Sequence, residues 1–329
     1  MMKNKAFMKL AIAAALSTSV AVGTFYSTGA LAAAPMAKVP APGFFRFTLG
    51  DFEVTALSDG TVDLPVDQLL KQAPEKTKKE LASAYLNVPT ETSVNAYLIN
   101  TGSKLILVDS GAGALFGPTL GKLLANLTAS GYKASDVDEI YITHMHPDHV
   151  GGLMQDGKLA FPNAVVRADE RESDYWLSDA NLAKAPEGNK GFFQGAMASL
   201  KPYVEAKHYK PFKSNGELTP GITSYSSYGH TEGHTSYVVE SHGKKMVIAG
   251  DLIHVGAVQF NHPQVTIGFD TTPEAAMKSR FRVFDEAAKE GDIVAAAHIP
   301  FPGLGHLRVV GSGATKSYQW TPLNYTQPR

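Results

Sequence analysis

Short apolar runs, rich in β-branched and aromatic side chains and separated by glycine, proline and aspartate, recur along this chain and predict strands. Residues 45–49 and 52–57 flank Gly50-Asp51 and predict a β-hairpin, and residues 94–100 and 104–108 predict a second around Thr101-Gly102-Ser103. Further strands are expected at 139–142, 222–228, 236–240, 245–249 and 293–297. Helices are expected at 118–130 and 273–289, the latter opened by Thr272, with Pro273 in its first turn, and closed by Gly291. Strand runs followed by helices, twice over, suit two β-sheets sandwiched between helices. No internal repeat or low-complexity tract disturbs that order.

The polar residues that end these runs carry the chemistry. Residues 139–142 run into Thr143-His144-Met145-His146-Pro147-Asp148-His149, where Pro147 stops the strand and helps to turn the chain. On such a loop His144 and His146 can reach one metal ion while Asp148 and His149 reach a second, because imidazole and carboxylate both suit zinc-like divalent ions. A two-metal site needs more donors than one loop supplies. Candidates stand at the ends of later runs: the Gly229-His230-Thr231-Glu232-Gly233-His234-Thr235 turn, Gly250-Asp251, and His298. Strand-end loops are where a layered fold presents functional groups.

Together, H-x-H-x-D-H, the G-H-T-x-G-H-T turn, Gly250-Asp251 and His298 resemble the metallo-β-lactamase-fold hydrolases, and within them the methyl parathion hydrolase and lactonase group. The stretches 50–60, 161–169 and 298–306 are similar to that group as well, so the likeness spans nearly all of the chain after about residue 40. The resemblance implies an αββα sandwich, two mixed β-sheets flanked by helices. It also implies two divalent ions per chain, with His144, His146 and His234 holding one and Asp148, His149 and His298 the other. Asp251 would bridge the two, hold a hydroxide between them, and help to move a proton to the leaving group. His230 is not a ligand in that pattern and takes a supporting role. Zinc is the first choice of ion, while manganese, iron and cobalt suit the same donors. Asp109, in Val108-Asp109-Ser110-Gly111, reads either as support for a ligand loop or as a turn or capping aspartate. His208, His242, His262 and His306 have no partner spacing and read as surface or packing residues.

The expected substrate pocket follows from the same likeness. Phe116, Trp176 and Phe192 match aromatic residues at the pocket mouth of methyl parathion hydrolases. Leu69 stands where those enzymes have arginine, His254 where they have leucine, Ile267 where they have threonine, and Phe269 where they have leucine. A bulkier, differently polar pocket favours a flat lactone or aryl ester over a tetrahedral phosphotriester. The expectation is a binuclear metal-dependent hydrolase of lactones and aryl esters, with phosphotriester hydrolysis weaker. Alternatives are a primary organophosphate hydrolase, an acyl-homoserine lactonase, a β-lactamase, or a non-catalytic binding protein that keeps the fold. The full ligand set speaks against the last.

Composition narrows the field further. At 329 residues, 44% hydrophobic and 19% charged, the chain is a folded α/β protein and not a highly charged disordered one. A formal net charge of −1 without a basic cluster lacks the footprint of a nucleic-acid binder. The chain has no cysteine, which removes thiolate ligands and nucleophiles. Some metallo-β-lactamases carry cysteine where this chain has Asp251, so β-lactam cleavage is disfavoured. Lys3, Lys5 and Lys9, the apolar residues 10–22 and Ala30-Leu31-Ala32 read as an export signal over 1–32. The apolar stretch is too short, and too broken by Ser17-Thr18-Ser19, for a membrane anchor. Removing the signal takes the formal charge from −1 to −4. Residues 33–43, with Pro35, Pro40 and Pro42, read as a flexible arm before a hydrolase domain at 44–329. The expected protein is exported, periplasmic or secreted, acts on a small molecule, and is free of the membrane after cleavage. The resemblance adds a homodimer.

Overall fold

Both expected hairpins form, and together they build the first sheet of the computed structural model. β1 (Phe44–Leu49) turns at Gly50-Asp51 into β2 (Phe52–Leu64), and β3 (Thr90–Asn100) turns into β4 (Leu105–Val108). β5 (Glu139–Tyr141) adds in parallel to β4. A separate small ribbon follows, β6 (Met154–Gln155) with β7 (Lys158–Leu159), before β8 (Val165–Arg167) extends the sheet in parallel to β5. The order is β1-β2-β3-β4-β5-β8. The structure describes residue 34 and residues 36–325, and from Pro40 onward they form one compact unit. The export signal read at 1–32 lies outside the described residues. The described part of the 33–43 arm carries no regular element.

The second sheet follows the chain from one edge to the other. It comprises β9 (Glu217–Thr219), β10 (Ile222–Ser226), β11 (Thr235–Ser241), β12 (Lys244–Ile248), β13 (Ile293–Ala295), β14 (Leu304–Val310) and β15 (Ser317–Pro322). All neighbours are antiparallel except β12 and β13, because the helix Pro273–Glu290 crosses over between them. That helix ends as expected at Gly291, in the left-handed conformation with φ 73°. The helix expected over 118–130 is shorter, Leu123–Ala129. Its start is set from outside: the buried Asp59 carboxylate accepts from the backbone N–H groups of Gly121 and Leu123, both at 3.0 Å.

Alternation along the strands sorts side chains into layers. On β3, Tyr97 and Ile99 face the second sheet, while Ala96 and Leu98 face the helices Leu123–Ala129 and Glu187–Glu205 on the outside. On β12, Met246 and Ile248 enter the layer between the sheets, and Val247 packs toward Val283 and Phe284 of the helix Pro273–Glu290. Burying one such isoleucine contributes about 1.5–3 kcal/mol. The result is the expected αββα sandwich.

Candidate metal centre

Four strand ends deliver polar side chains to one place. β5 runs into the His144–His149 loop, β10 into the turn holding His230 and His234, β12 into Gly250-Asp251, and β13 into His298. Pro147 opens a short helix, Pro147–Val150, so that Asp148 and His149 turn back beside His144 and His146. His144, His146, His230 and Asp251 each offer a donor atom within 4.8 Å of the others, and so do Asp148, His149 and His298. Asp251 stands at the centre. Its Oδ2 lies 3.5 Å from His144 Nε2, 3.3 Å from His230 Nε2 and 3.1 Å from His298 Nε2, while its Oδ1 lies 3.2 Å from His149 Nε2.

The far sides of the His144, His149, His230 and His298 rings are tied down, which fixes where the inward nitrogen points. His149 Nδ1 donates to Asp109 Oδ2 at 2.8 Å, His230 Nδ1 to Asp270 Oδ1 at 2.8 Å, and His298 Nδ1 to the Ser93 carbonyl at 2.9 Å. Asp109 also accepts from Thr143 N and Thr143 Oγ1, each at 2.8 Å, and Thr143 Oγ1 in turn meets His144 Nδ1 at 3.1 Å. Asp109 holds this position with φ 61°, a left-handed conformation that aspartate tolerates better than most residues. Of its two readings from sequence, the ligand-loop support is the one the geometry matches.

One assignment implied by resemblance is corrected. His234 is expected among the ligands and His230 in support, but in the structure it is His230 whose ring joins His144, His146 and Asp251, while His234 is engaged elsewhere. Both ring nitrogens of His234 are taken: Nδ1 donates to Ser227 Oγ at 2.8 Å, and Nε2 accepts from the backbone N–H of Asp251 at 3.0 Å. An N–H can only donate, so the Nε2 lone pair is spent inside the protein. Burial and the neighbouring His230 push the His234 ring down to about 3, so it stays neutral and keeps this pattern. The turn conformation decides the matter, because Gly250 has φ 56° and a Cβ there would meet His234 Nε2 at 2.6 Å. His234 is thus a pillar under the Gly250-Asp251 turn, and His230 faces the cluster.

The buried atoms left without partners fit metal ions. Among the described residues His144 Nε2, His149 Nε2, Asp251 Oδ1 and both nitrogens of His254 are buried without a hydrogen bond. Leaving such atoms bare costs about 1–3 kcal/mol each, and divalent cations would satisfy those that face Asp251. Burial holds His144 and His146 well below the usual histidine range, keeping them as the neutral imidazoles that bind metal. Burial would also lower His149 and His230. The carboxylates of Asp251, Asp148 and Asp109 instead hold His149 well above that range, and hydrogen bonds to Asp251 and Asp270 raise His230 to about 9.

A residue that the motifs did not reveal braces the two ligand loops. Glu172 is fully buried, and its carboxylate accepts from Met145 N at 2.9 Å and from Gly233 N at 2.7 Å. One side chain therefore ties the backbone between His144 and His146 to the turn carrying His230. Burial raises Glu172 to about 7, against hydrogen bonds from Thr231, Met145 and Gly233 that favour the charge. In the sequence its only signal is an acid in the helix Glu170–Trp176, no different from its exposed neighbours.

A cavity of about 160 Å³ opens over Asp148, Asp251 and His298. Of the seven expected pocket residues, Phe116, Phe192, His254 and Phe269 line it. The other three sit behind the wall. Ile267 is fully buried in a core with Val66 and Leu70, Leu69 packs against that core, and Trp176 lies edge-on beneath His146 with centroids 5.3 Å apart. Val62, Leu64 and Leu120 complete the lining and were not expected. The long β2 strand brings the first two there. His254 Nε2 lies 3.1 Å from Asp251 Oδ2, and its ring stacks on His298 at 4.9 Å.

With this geometry in place, comparison with known proteins identifies the class. The signature of the metallo-beta-lactamase superfamily matches residues 89–298, and the chain belongs to that superfamily as a metal-dependent hydrolase. The crystal structure of AbOPH, a hydrolase in the beta lactamase superfamily, superposes with a TM-score of 0.82 at 37% identity, covering 88% of this chain and 100% of that one. AidC, a dizinc quorum-quenching lactonase, gives 0.79 at 27% identity, covering 87% and 99%. The N-acyl homoserine lactonase AiiA of Bacillus thuringiensis subsp. kurstaki is 26% identical over 232 residues, 65% of this chain and 82% of that protein.

Proposed function

We propose that this chain hydrolyses lactones and aryl esters at a two-metal site, with phosphotriester hydrolysis of the methyl parathion hydrolase type as a weaker activity. The observation that carries this reading is the small volume of the cavity, about 160 Å³, with Phe269, His254, Phe116 and Phe192 among its walls. A compact planar ester or lactone group fits so small a volume more readily than a tetrahedral phosphorus centre, which must place three substituents around itself. The lactonase relatives AidC and AiiA support the same reading. The basic and then apolar residues 1–32 support an exported enzyme.

Two divalent ions, when bound, supply a Lewis acid for the ester carbonyl and acidify water toward neutral pH. His144, His146 and His230 would hold one, Asp148, His149 and His298 the other, and Asp251 would serve both. Burial alone would raise Asp251, but His149, His298 and His144 outweigh it and keep the carboxylate ionised. The Asp251 carboxylate, central to the cluster, is assigned to help move a proton from the attacking water to the leaving oxygen. The aromatic walls exclude bulk water and hold an apolar leaving group against their faces. Replacing Asp251 with Asn should lower kcat by about 10²-fold or more even at full metal content; unchanged turnover would remove this role.

The deciding experiment is a side-by-side kcat/KM panel on metal-replete protein, using dihydrocoumarin, an aryl ester, methyl parathion and a β-lactam. Lactone and aryl ester should rank first. Turnover of methyl parathion far above both would reverse the proposed order.

A further inference from the structure

His254 lines the cavity over Asp251, yet none of the ligand motifs accounts for it. It is 4% exposed, and neither of its ring nitrogens makes a hydrogen bond among the described residues. Its Nε2 nevertheless stands 3.1 Å from Asp251 Oδ2, the distance at which His298 Nε2 approaches the same oxygen. A hydrogen bond needs the ring N–H aimed at the oxygen. Ligands of a shared ion aim instead at a point between them, and donors about 2.1 Å from that ion stand roughly 3.0–3.4 Å apart. The short, misaligned approach of His254 matches the second arrangement.

Asp251, His254 and His298 each offer a donor atom within 4.8 Å of the others. The His254 ring stacks on His298 at 4.9 Å with the planes 18° apart, and both bring Nε2 to one carboxylate oxygen. The backbone beneath is fixed by the buried Gln259, whose Oε1 accepts from His254 N at 2.8 Å and Val255 N at 3.0 Å, and whose amide donates to the Val265 carbonyl at 3.0 Å. We infer that His254 is a further protein ligand, joining Asp251 and His298 on the ion that Asp148 and His149 also hold. This assignment adds to the two-ion reading above and rests on it. With His254 included, that ion has more donors than a tetrahedral zinc accepts, which favours ions that take more ligands, such as manganese, iron or cobalt. Nδ1 of His254 has no partner, whereas those of His149, His230 and His298 are tied, so His254 is held less firmly than these and is the ligand most easily displaced.

Chelator competition on metal-loaded protein, read by elemental analysis, tests this without turnover. His254→Leu fills the space with an apolar side chain. The affinity for one ion per chain should fall at least about tenfold, while the other ion is held as in wild type. In urea unfolding of the metal-free protein, His254→Leu should be at least as stable as wild type, because it removes buried nitrogens that have no partner. Weaker metal binding by a chain that is no less stable separates a ligand from a residue that only supports the fold. His254→Gln, which can still hydrogen-bond to Asp251 but lacks the imidazole, should lose metal as His254→Leu does. In the cobalt(II) form, the visible d–d absorption should strengthen in His254→Leu, because losing a ligand takes the ion further from octahedral symmetry. Wild-type metal affinity in His254→Leu overturns the assignment, and so does wild-type affinity in His254→Gln, which would reduce His254 to a hydrogen-bond partner of Asp251. Wild type that binds fewer than two ions overturns the two-ion reading and this assignment with it. Two ions whose retention depends on His254, in a protein that cleaves no lactone or aryl ester, would overturn only the proposed substrates.

Discussion

The two sheets contribute to the same centre in different ways. The first supplies His144, His146, Asp148 and His149 from one loop after β5, within six residues of sequence. The second supplies His230, Asp251 and His298 from three separate strand ends, spread over most of its length. A local cluster shows itself in the sequence, because any turn that exposes one ligand exposes its neighbours. A dispersed set depends on how each strand meets the next. That is why the likeness to a family named the four neighbouring donors of the first loop together, whereas in the Gly229–Thr235 turn it named His234 and the structure turns His230 toward the cluster. The second sheet also leans on the first: Asn95 of β3 donates to the carbonyls of Ala296 and Ile299, and Ser93 accepts from His298, holding that ligand loop from below.

The largest expected effect separates the two histidines of that turn. His230→Ala should remove about one ion per chain, measured by elemental analysis, and lower kcat/KM by about 10²-fold or more. His234→Ala should keep both ions while unfolding about 2–4 kcal/mol more easily, because it leaves a cavity and strands the buried Asp251 N–H. If His234→Ala proved to be the variant that loses metal, the contrast drawn here would collapse.

A smaller effect probes the support of the first loop. Asp109→Asn keeps the shape but exchanges an acceptor for a donor opposite His149 Nδ1. Metal affinity, measured by competition with a chelator, should fall about 10–100-fold. A change under about twofold would show that Asp109 only turns the chain.

A further effect concerns the brace between loops and appears only as a pH dependence. Glu172 has a folded value raised to about 7 from an ordinary 4.5, so between these values the folded chain holds a proton that the unfolded chain has lost. Its contribution to stability is fully present below about 4.5 and falls as pH rises through about 7. In metal-free protein, the stability of wild type relative to Glu172→Gln should therefore decline across that window by on the order of 3 kcal/mol. A difference that is flat with pH would mean that Glu172 is ionised throughout.

Pattern and spacing sufficed for much of this molecule. The hairpins around Gly50-Asp51 and residues 101–104, the helix from Pro273 to its glycine stop, and the H-x-H-x-D-H loop are all local features, fixed by turn chemistry and periodicity within a few residues. The pocket was legible only in part. Phe116, Phe192, His254 and Phe269 reach the cavity, while Leu69, Trp176 and Ile267 stand behind its wall, since which face of a loop points inward depends on what packs beneath it.

What the sequence alone determined is the set of donors and the strands that end at them. What the tertiary structure decided is which donors meet. The Gly250 turn consumes His234 and leaves His230 to the cluster, Glu172 clamps the loop after β5 to the turn after β10, and Phe116 and Phe192 each line two neighbouring hollows. Each of these rests on hydrogen bonds or packing between distant segments, and a one-dimensional pattern carries no record of which distant segments share a partner.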